Sequence, residues 1–131
     1  MSRGFRALKT WFTFIVYGTS ALCGAILNTC TLAQYLRDRV AAEPRLELLA
    51  PVSLNIVCFG YRCADPDAVN SRIATALHER GLPAPSTTVI DGRLAIRAAI
   101  VNHRTGTAEI DRLVEAAAAL GNALTSSGRD A

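Results

Sequence analysis

The chain has 131 residues, half of them hydrophobic and 19% charged, with a formal net charge of +3. That length suits one domain with a core and hardly two, and the composition excludes wholesale disorder. The basic residues form no run, which argues against nucleic acid as a partner, and Lys9, the only lysine, is the one candidate for lysine chemistry.

No residue between Lys9 and Arg37 is charged, a pattern that raises a membrane anchor or a signal peptide. Thr10, Thr13, Thr19, Ser20, Asn28, Thr29, Thr31 and Gln34 make the stretch too polar for a clean span. No A-x-A cleavage site follows it, and Ser20-Ala21-Leu22-Cys23 is a poor lipoprotein signal. The pattern instead predicts an apolar helix over residues 11–17, ended by Gly18, and a second helix capped by Thr19 or Ser20 and stopped by Pro44. Leu22, Ala25, Ile26, Thr29, Leu32, Ala33, Leu36 and Val40 recur at helical spacing as its apolar face. Both helices are expected to pack on a protein surface.

From Leu46 the period changes. Residues 46–50 and 53–62 read as strands separated by Pro51. Asp65-Pro66 starts a helix with Asp65 as cap and Val69, Ile73, Ala76 and Leu77 as its stripe, and Gly81 is its expected stop. Residues 82–85 are a loop. Residues 86–90 and 94–101 are strands joined by Asp91-Gly92, a strong hairpin signal. Thr107 is expected to cap a last helix facing inward through Ile110, Leu113, Val114, Ala117, Leu120 and Leu124, before a frayed tail from Thr125. The fold class is α/β in the α+β sense: two amino-terminal helices, then a small, mainly antiparallel sheet with helices on one face.

Strand alternation turns Leu94, Ile96, Ala98 and Ile100 toward the helices and Ala95, Arg97, Ala99 and Val101 away from them. Arg97 between two alanines predicts an open niche with a guanidinium at its floor, suited to a carboxylate or phosphate. The competing reading is an arginine that is merely solvated or ion-paired. Asn55 and His103 are weaker polar candidates. Cys23, Cys30, Cys58 and Cys63 show no C-x-x-C spacing and lie far from His78 and His103, so no metal site is expected; they read as small core thiols in a reducing compartment. No phosphate loop, Ser-His-Asp set or carboxylate pair is present, so no complete catalytic set is read from the residues.

Larger blocks carry a resemblance. Ser2-Arg3 with Phe5-Arg6-Ala7-Leu8-Lys9-x-Trp11 is one. Leu46-Glu47-Leu48-Leu49-Ala50-Pro51-Val52-x-Leu54-Asn55-Ile56-Val57-Cys58-Phe59 is a second. Asp91-Gly92-Arg93-Leu94-x-Ile96-Arg97-Ala98-x-Ile100-Val101-Asn102-His103-Arg104-Thr105, with Ile110-Asp111 behind it, is a third. In order and spacing they resemble the carboxy-terminal region of the group II pyridoxal-phosphate-dependent decarboxylases, which include the aromatic-amino-acid and glutamate decarboxylases. Gly4 stands where that family usually has a second arginine, and many of its members carry charges in the stretch that is uncharged here.

The resemblance implies a fold like the small carboxy-terminal domain of fold-type I pyridoxal-phosphate enzymes. Residues 1–45 would be helices from the end of a large cofactor domain, residues 46–124 the small domain and residues 125–131 a tail. It implies an amino-acid carboxy-lyase, a cytoplasmic homodimer whose cofactor sits as a Schiff base on a lysine upstream of the matched region. Lys9 corresponds to a different family lysine. The chain alone is therefore expected to be an inactive fragment that needs the upstream domain, with Arg97 as the active-site-facing residue and Arg3, Asn55 and His103 behind it. The alternative is a small membrane-anchored or partner-binding protein that uses residues 10–36.

Overall fold

The computed structural model describes residues 6–80 and 85–126, so Arg3, Gly4, Gly81 and most of the expected tail lie outside the described residues. In chain order it forms α1 (Arg6–Ala42), β1 (Leu46–Leu48), β2 (Ile56–Tyr61), α2 (Pro66–Glu79), β3 (Ser86–Ile90), β4 (Arg93–Ala99) and α3 (Thr107–Ser126).

The two expected amino-terminal helices are one helix broken at Gly18, whose φ of 74° and ψ of 164° belong to a backbone region that almost only glycine occupies. A Cβ there would meet nothing within 4 Å, so the glycine serves the bend and not close packing. Beyond the break the predicted apolar face holds from Thr29 onward: Thr29, Leu32, Ala33, Leu36 and Val40 are buried. Ile26, expected on the same face, is 60% exposed, because the sheet and α3 reach only the later half of the helix.

The four strands form one antiparallel sheet in the order β1-β2-β4-β3. Since β4 lies between β2 and β3, α2 links two parallel strands across an inserted one, a split βαβ arrangement. The 86–90 and 93–99 hairpin turns through Asp91 and Gly92 at φ of 49° and 79°, the two positive values of a type I′ turn. The strand expected from residue 53 begins only at Ile56. Leu54 takes a φ of 54° and Ser53 bridges to Ile56, so residues 53–56 make a tight turn.

Val57, Phe59 and Tyr61 of β2 and Ile96 and Ala98 of β4 point to the helix side. There they meet Leu36 and Val40 of α1, Ile73 and Leu77 of α2, and Ile110, Leu113, Val114, Ala117 and Leu120 of α3 in one core. Among the described residues, the other face of the sheet carries no helix.

Polar bonds fix the helices to the sheet and to each other. The Tyr61 hydroxyl donates to Asn122 Oδ1 at 2.7 Å. Tyr35 (2.9 Å) and Arg39 (2.7 Å) of α1 both donate to Asp111 Oδ1 of α3. The hydrogen bond to Asp111 is the main reason the Tyr35 hydroxyl titrates above its usual range. At the helix starts, Asp65 accepts from Ala68 N at 3.4 Å as expected. Thr107, expected as a cap, is the first residue of α3. The Glu109 carboxylate reaches back to the Gly106 N–H at 2.9 Å, the reciprocal half of a capping box.

Candidate functional site

The face of the sheet without helices is built by register. Arg97 is the partner of Cys58 on one side and of Ser86 on the other, and Ala95 is the partner of Thr88. Partners across antiparallel strands share a face, so Arg93, Ala95, Arg97 and Ala99 stand beside Cys58 and Gly60, and Glu47 joins them through its pairing with Gly60.

This face sorts its arginines. Arg93 forms an ion pair with Glu47, reaching across β2 at Gly60, where there is no side chain in the way. Arg62 lies 3.8 Å from the other oxygen of the same carboxylate. Arg97 is half-buried, and its guanidinium has no hydrogen bond or ion pair to any described residue. It leaves one guanidinium fork available, and such a fork suits a carboxylate. Its effect reaches the thiol opposite: burial pushes the Cys58 thiol up, and the Arg97 charge pulls it partly back.

The niche expected around Arg97 is shallower than alternation suggested. Ala99 is exposed but Ala95 is fully buried, on a face it shares with Thr88 and the Arg93–Glu47 pair. The floor beside the guanidinium is therefore open toward Ala99 and closed toward Ala95.

Asn55 and His103 come together elsewhere. Both line a cavity of about 290 Å³ with Cys30, Leu54 and Val101, which Arg97 does not border. Asn55 Nδ2 donates to Ile100 O at 2.8 Å and the Asn55 backbone carbonyl accepts from Ile100 N at 2.9 Å, extending the β2–β4 ladder past its last paired residues. Arg3 lies outside the described residues.

The four cysteines are all free thiols, and of the core positions expected for them only Cys63 packs against the core. Cys23 is exposed and the others are half-buried, because Cys58 falls on the helix-free face and the sheet does not reach Cys23. Among the described residues, no group of three His, Cys, Asp or Glu side chains could hold a metal ion.

Asn70 was missed by the sequence reading, being one polar position on an apolar helix. It is 1% exposed and fills the gap where β2 and β4 diverge, accepting from Tyr61 N and donating to Leu94 O, both at 2.8 Å. Its neighbour Asp67 accepts from Leu94 N at 2.8 Å. These bonds hold β4, and with it Arg97, in register.

Comparison with known proteins gives this geometry a context. The fold is an α/β arrangement shared with solved decarboxylases. The glutamate decarboxylase domain of a Vibrio parahaemolyticus diaminobutyrate-pyruvate transaminase and L-2,4-diaminobutyrate decarboxylase superposes with a TM-score of 0.79 at 26% identity, over 88% of this chain and 25% of that one. Oryza sativa TDC with PLP and tryptamine gives 0.83 at 24% identity, over 93% of this chain and 28% of that one, a likeness of fold.

The sequence agrees. Residues 1–62 match the pyridoxal-dependent decarboxylase conserved domain. The aromatic-L-amino-acid decarboxylase of Bacillus atrophaeus is 33% identical over 116 residues, 84% of this chain and 24% of that enzyme. That of Drosophila melanogaster is 34% identical over 98 residues, 73% of this chain and 19% of that enzyme. The chain is a relative of the group II pyridoxal-phosphate-dependent decarboxylases. It spans about a quarter or less of the length of these curated relatives.

The residues present do not themselves fit the cofactor. Lys9 is exposed on the first arm of α1, amid exposed apolar side chains, and offers no enclosed amine for a Schiff base.

Proposed function

We propose that this chain acts as the small carboxy-terminal domain of an amino-acid decarboxylase, completing a site whose pyridoxal phosphate is held by another domain. In this reading the helix-free sheet face turns toward that site, and the assembled enzyme is a cytoplasmic homodimer. Arg97 supplies the positive wall, binding the carboxylate of an amino acid in two-point geometry and so orienting the substrate. The aromatic-amino-acid decarboxylases among the relatives support aromatic amino acids as the substrate class. Chemistry at the cofactor belongs to the other domain.

One observation carries the reading. Of the three arginines on this face, Arg62 and Arg93 share Glu47, while Arg97 keeps its guanidinium free of any described partner. Its backbone is held from both sides, by β2 and β3. A cation held in place without a counterion suits an anion that arrives with the substrate.

The test is a chimera in which this chain replaces the matched region of the Bacillus atrophaeus enzyme, assayed for carbon dioxide release from L-tryptophan and L-tyrosine. Activity whose KM for the amino acid rises on Arg97→Gln supports the reading, and a folded, cofactor-loaded but inactive chimera opposes it. The chain alone, given pyridoxal phosphate and the same amino acids, is expected to show neither a bound-cofactor absorbance band nor carbon dioxide.

A further inference from the structure

Along the sheet, Arg97 has an apolar side and a charged side. Ala99 is the Cα partner of Ile56, as Arg97 is of Cys58. On the helix-free face Ala99 and Ile56 therefore stand together in the next row of side chains, about 7 Å along the strands. Ala99 is exposed and Ile56 half-buried. The ladder runs on past them, since Ile100 N donates to the Asn55 backbone carbonyl at 2.9 Å, and Val101, next in the alternation, is 78% exposed. In the opposite direction Ala95 is fully buried, and beyond it Arg93 is ion-paired with Glu47.

A ligand whose carboxylate is held by Arg97 thus finds apolar contact on one side only. Toward Arg93 an apolar group would cover part of an ion pair and offer it no bond, at a cost in desolvation. Toward Ala99 it covers hydrocarbon and gains the usual free energy of apolar burial. Neither Ala99 nor Ile56 has a side-chain donor or acceptor, so this shelf selects by area and shape. Its depth is set by Ala99, the small residue beside the larger Ile56.

We propose that Ala99 is a specificity-determining residue, an assignment that rests on the proposed role of Arg97 as the carboxylate wall. The aromatic ring of the amino acid lies across Ala99 and Ile56, and the short side chain at position 99 leaves the room that a two-ring group requires. A larger residue there narrows the shelf without disturbing the pairing of β2 with β4, which is made by backbone groups.

Two measurements test this. In the Bacillus atrophaeus chimera, Ala99→Leu is expected to lower kcat/KM for L-tryptophan relative to L-tyrosine by about 10-fold or more, the scale of a few methyl groups in an apolar pocket. Arg97→Gln should weaken both substrates alike. A tryptophan-to-tyrosine ratio unmoved by Ala99→Leu, with Arg97→Gln still raising both KM values, overturns the assignment of Ala99 and leaves the carboxylate wall standing. The full chain alone gives a readout without turnover, by amide NMR during titration with propionate or indole-3-propionate. Propionate is expected to shift signals at Arg97. Indole-3-propionate should bind several-fold more tightly through the added apolar contact and shift the Ala99 and Ile56 amides as well. Indole-dependent shifts on the Ala95 side, or none beyond those of propionate, overturn the assignment of Ala99 alone; no shift at Arg97 with either compound overturns the carboxylate wall and the shelf together.

Discussion

The ring of Tyr61 lies against Gly121 of α3, in the space a Cβ would occupy: one built there would stand 2.1 Å from the ring. Tyr61 is 4% exposed and its hydroxyl is held by Asn122, so the ring cannot easily retreat. The contact fixes how closely α3 approaches β2.

Gly121→Ala is therefore expected to destabilise the fold by about 1–3 kcal/mol, the usual cost of overpacking a core. Tyr61→Phe, which removes only the hydroxyl bond, should cost about 1 kcal/mol. Urea unfolding followed by circular dichroism measures both, and an unchanged midpoint for Gly121→Ala would show that the helix can move aside.

Removal of the Asn70 side chain leaves the Tyr61 N–H and the Leu94 carbonyl without partners in a buried place. Each unsatisfied group costs about 1–3 kcal/mol, so Asn70→Ala should lose roughly 2–6 kcal/mol and Asn70→Asp should not restore it. Hydrogen exchange at the Tyr61 amide reads the local effect, and retained protection in Asn70→Ala would refute the bridging role.

Gly18→Ala addresses the bend in α1. Nothing within 4 Å props the bend from that side, and alanine is the better helix former by about 1 kcal/mol. The variant should straighten α1 and gain helical signal in far-ultraviolet circular dichroism, with the core's unfolding midpoint unmoved. A drop in that midpoint would mean that the bend is required by the core.

Two carboxylates set the acid limb of stability. The Arg45 side chain holds Glu43 below the ordinary value of 4.5, and the Gly106 N–H does so for Glu109. A carboxyl group whose pKa is depressed by folding adds stability above its unfolded value and loses it as pH falls through the folded one. Stability should thus decline below about pH 4.5, and Glu43→Gln and Glu109→Gln should each flatten that decline by lowering stability at neutral and higher pH, while changing little in the same melts at pH values where both carboxyls are already protonated.

Arg97 separates function from fold. Because it is half-buried and without a described partner, Arg97→Gln should move stability by no more than about 0.5 kcal/mol. In the chimera it should raise KM for the amino acid roughly 10- to 100-fold, as expected for losing charged hydrogen bonds. Arg97→Lys should recover only part of the loss, lacking the planar fork. Full recovery with lysine would point to simple charge attraction.

Local chemistry in the sequence determined the elements. Asp91-Gly92 required a two-residue hairpin, Gly18 a break, Asp65-Pro66 a helix start, and the stripe from Ile110 to Leu120 an inward face for α3. Each depends on neighbours a few residues away. Tertiary pairing decided the rest. Alternation put Arg97 on the face away from the helices, but only the register of β1 with β2 and of β2 with β4 set Glu47, Cys58 and Arg93 around it. That register gave Glu47 to Arg93 and Arg62 and left the Arg97 guanidinium without a partner among the described residues. It also closed the niche at Ala95, and Asn70 became a bridge because two strands diverge beside it. A strand's period of two says which way a side chain points; what stands beside it is set by partners distant in sequence, and that neighbourhood decides whether an arginine is spent on its own fold or left for a ligand.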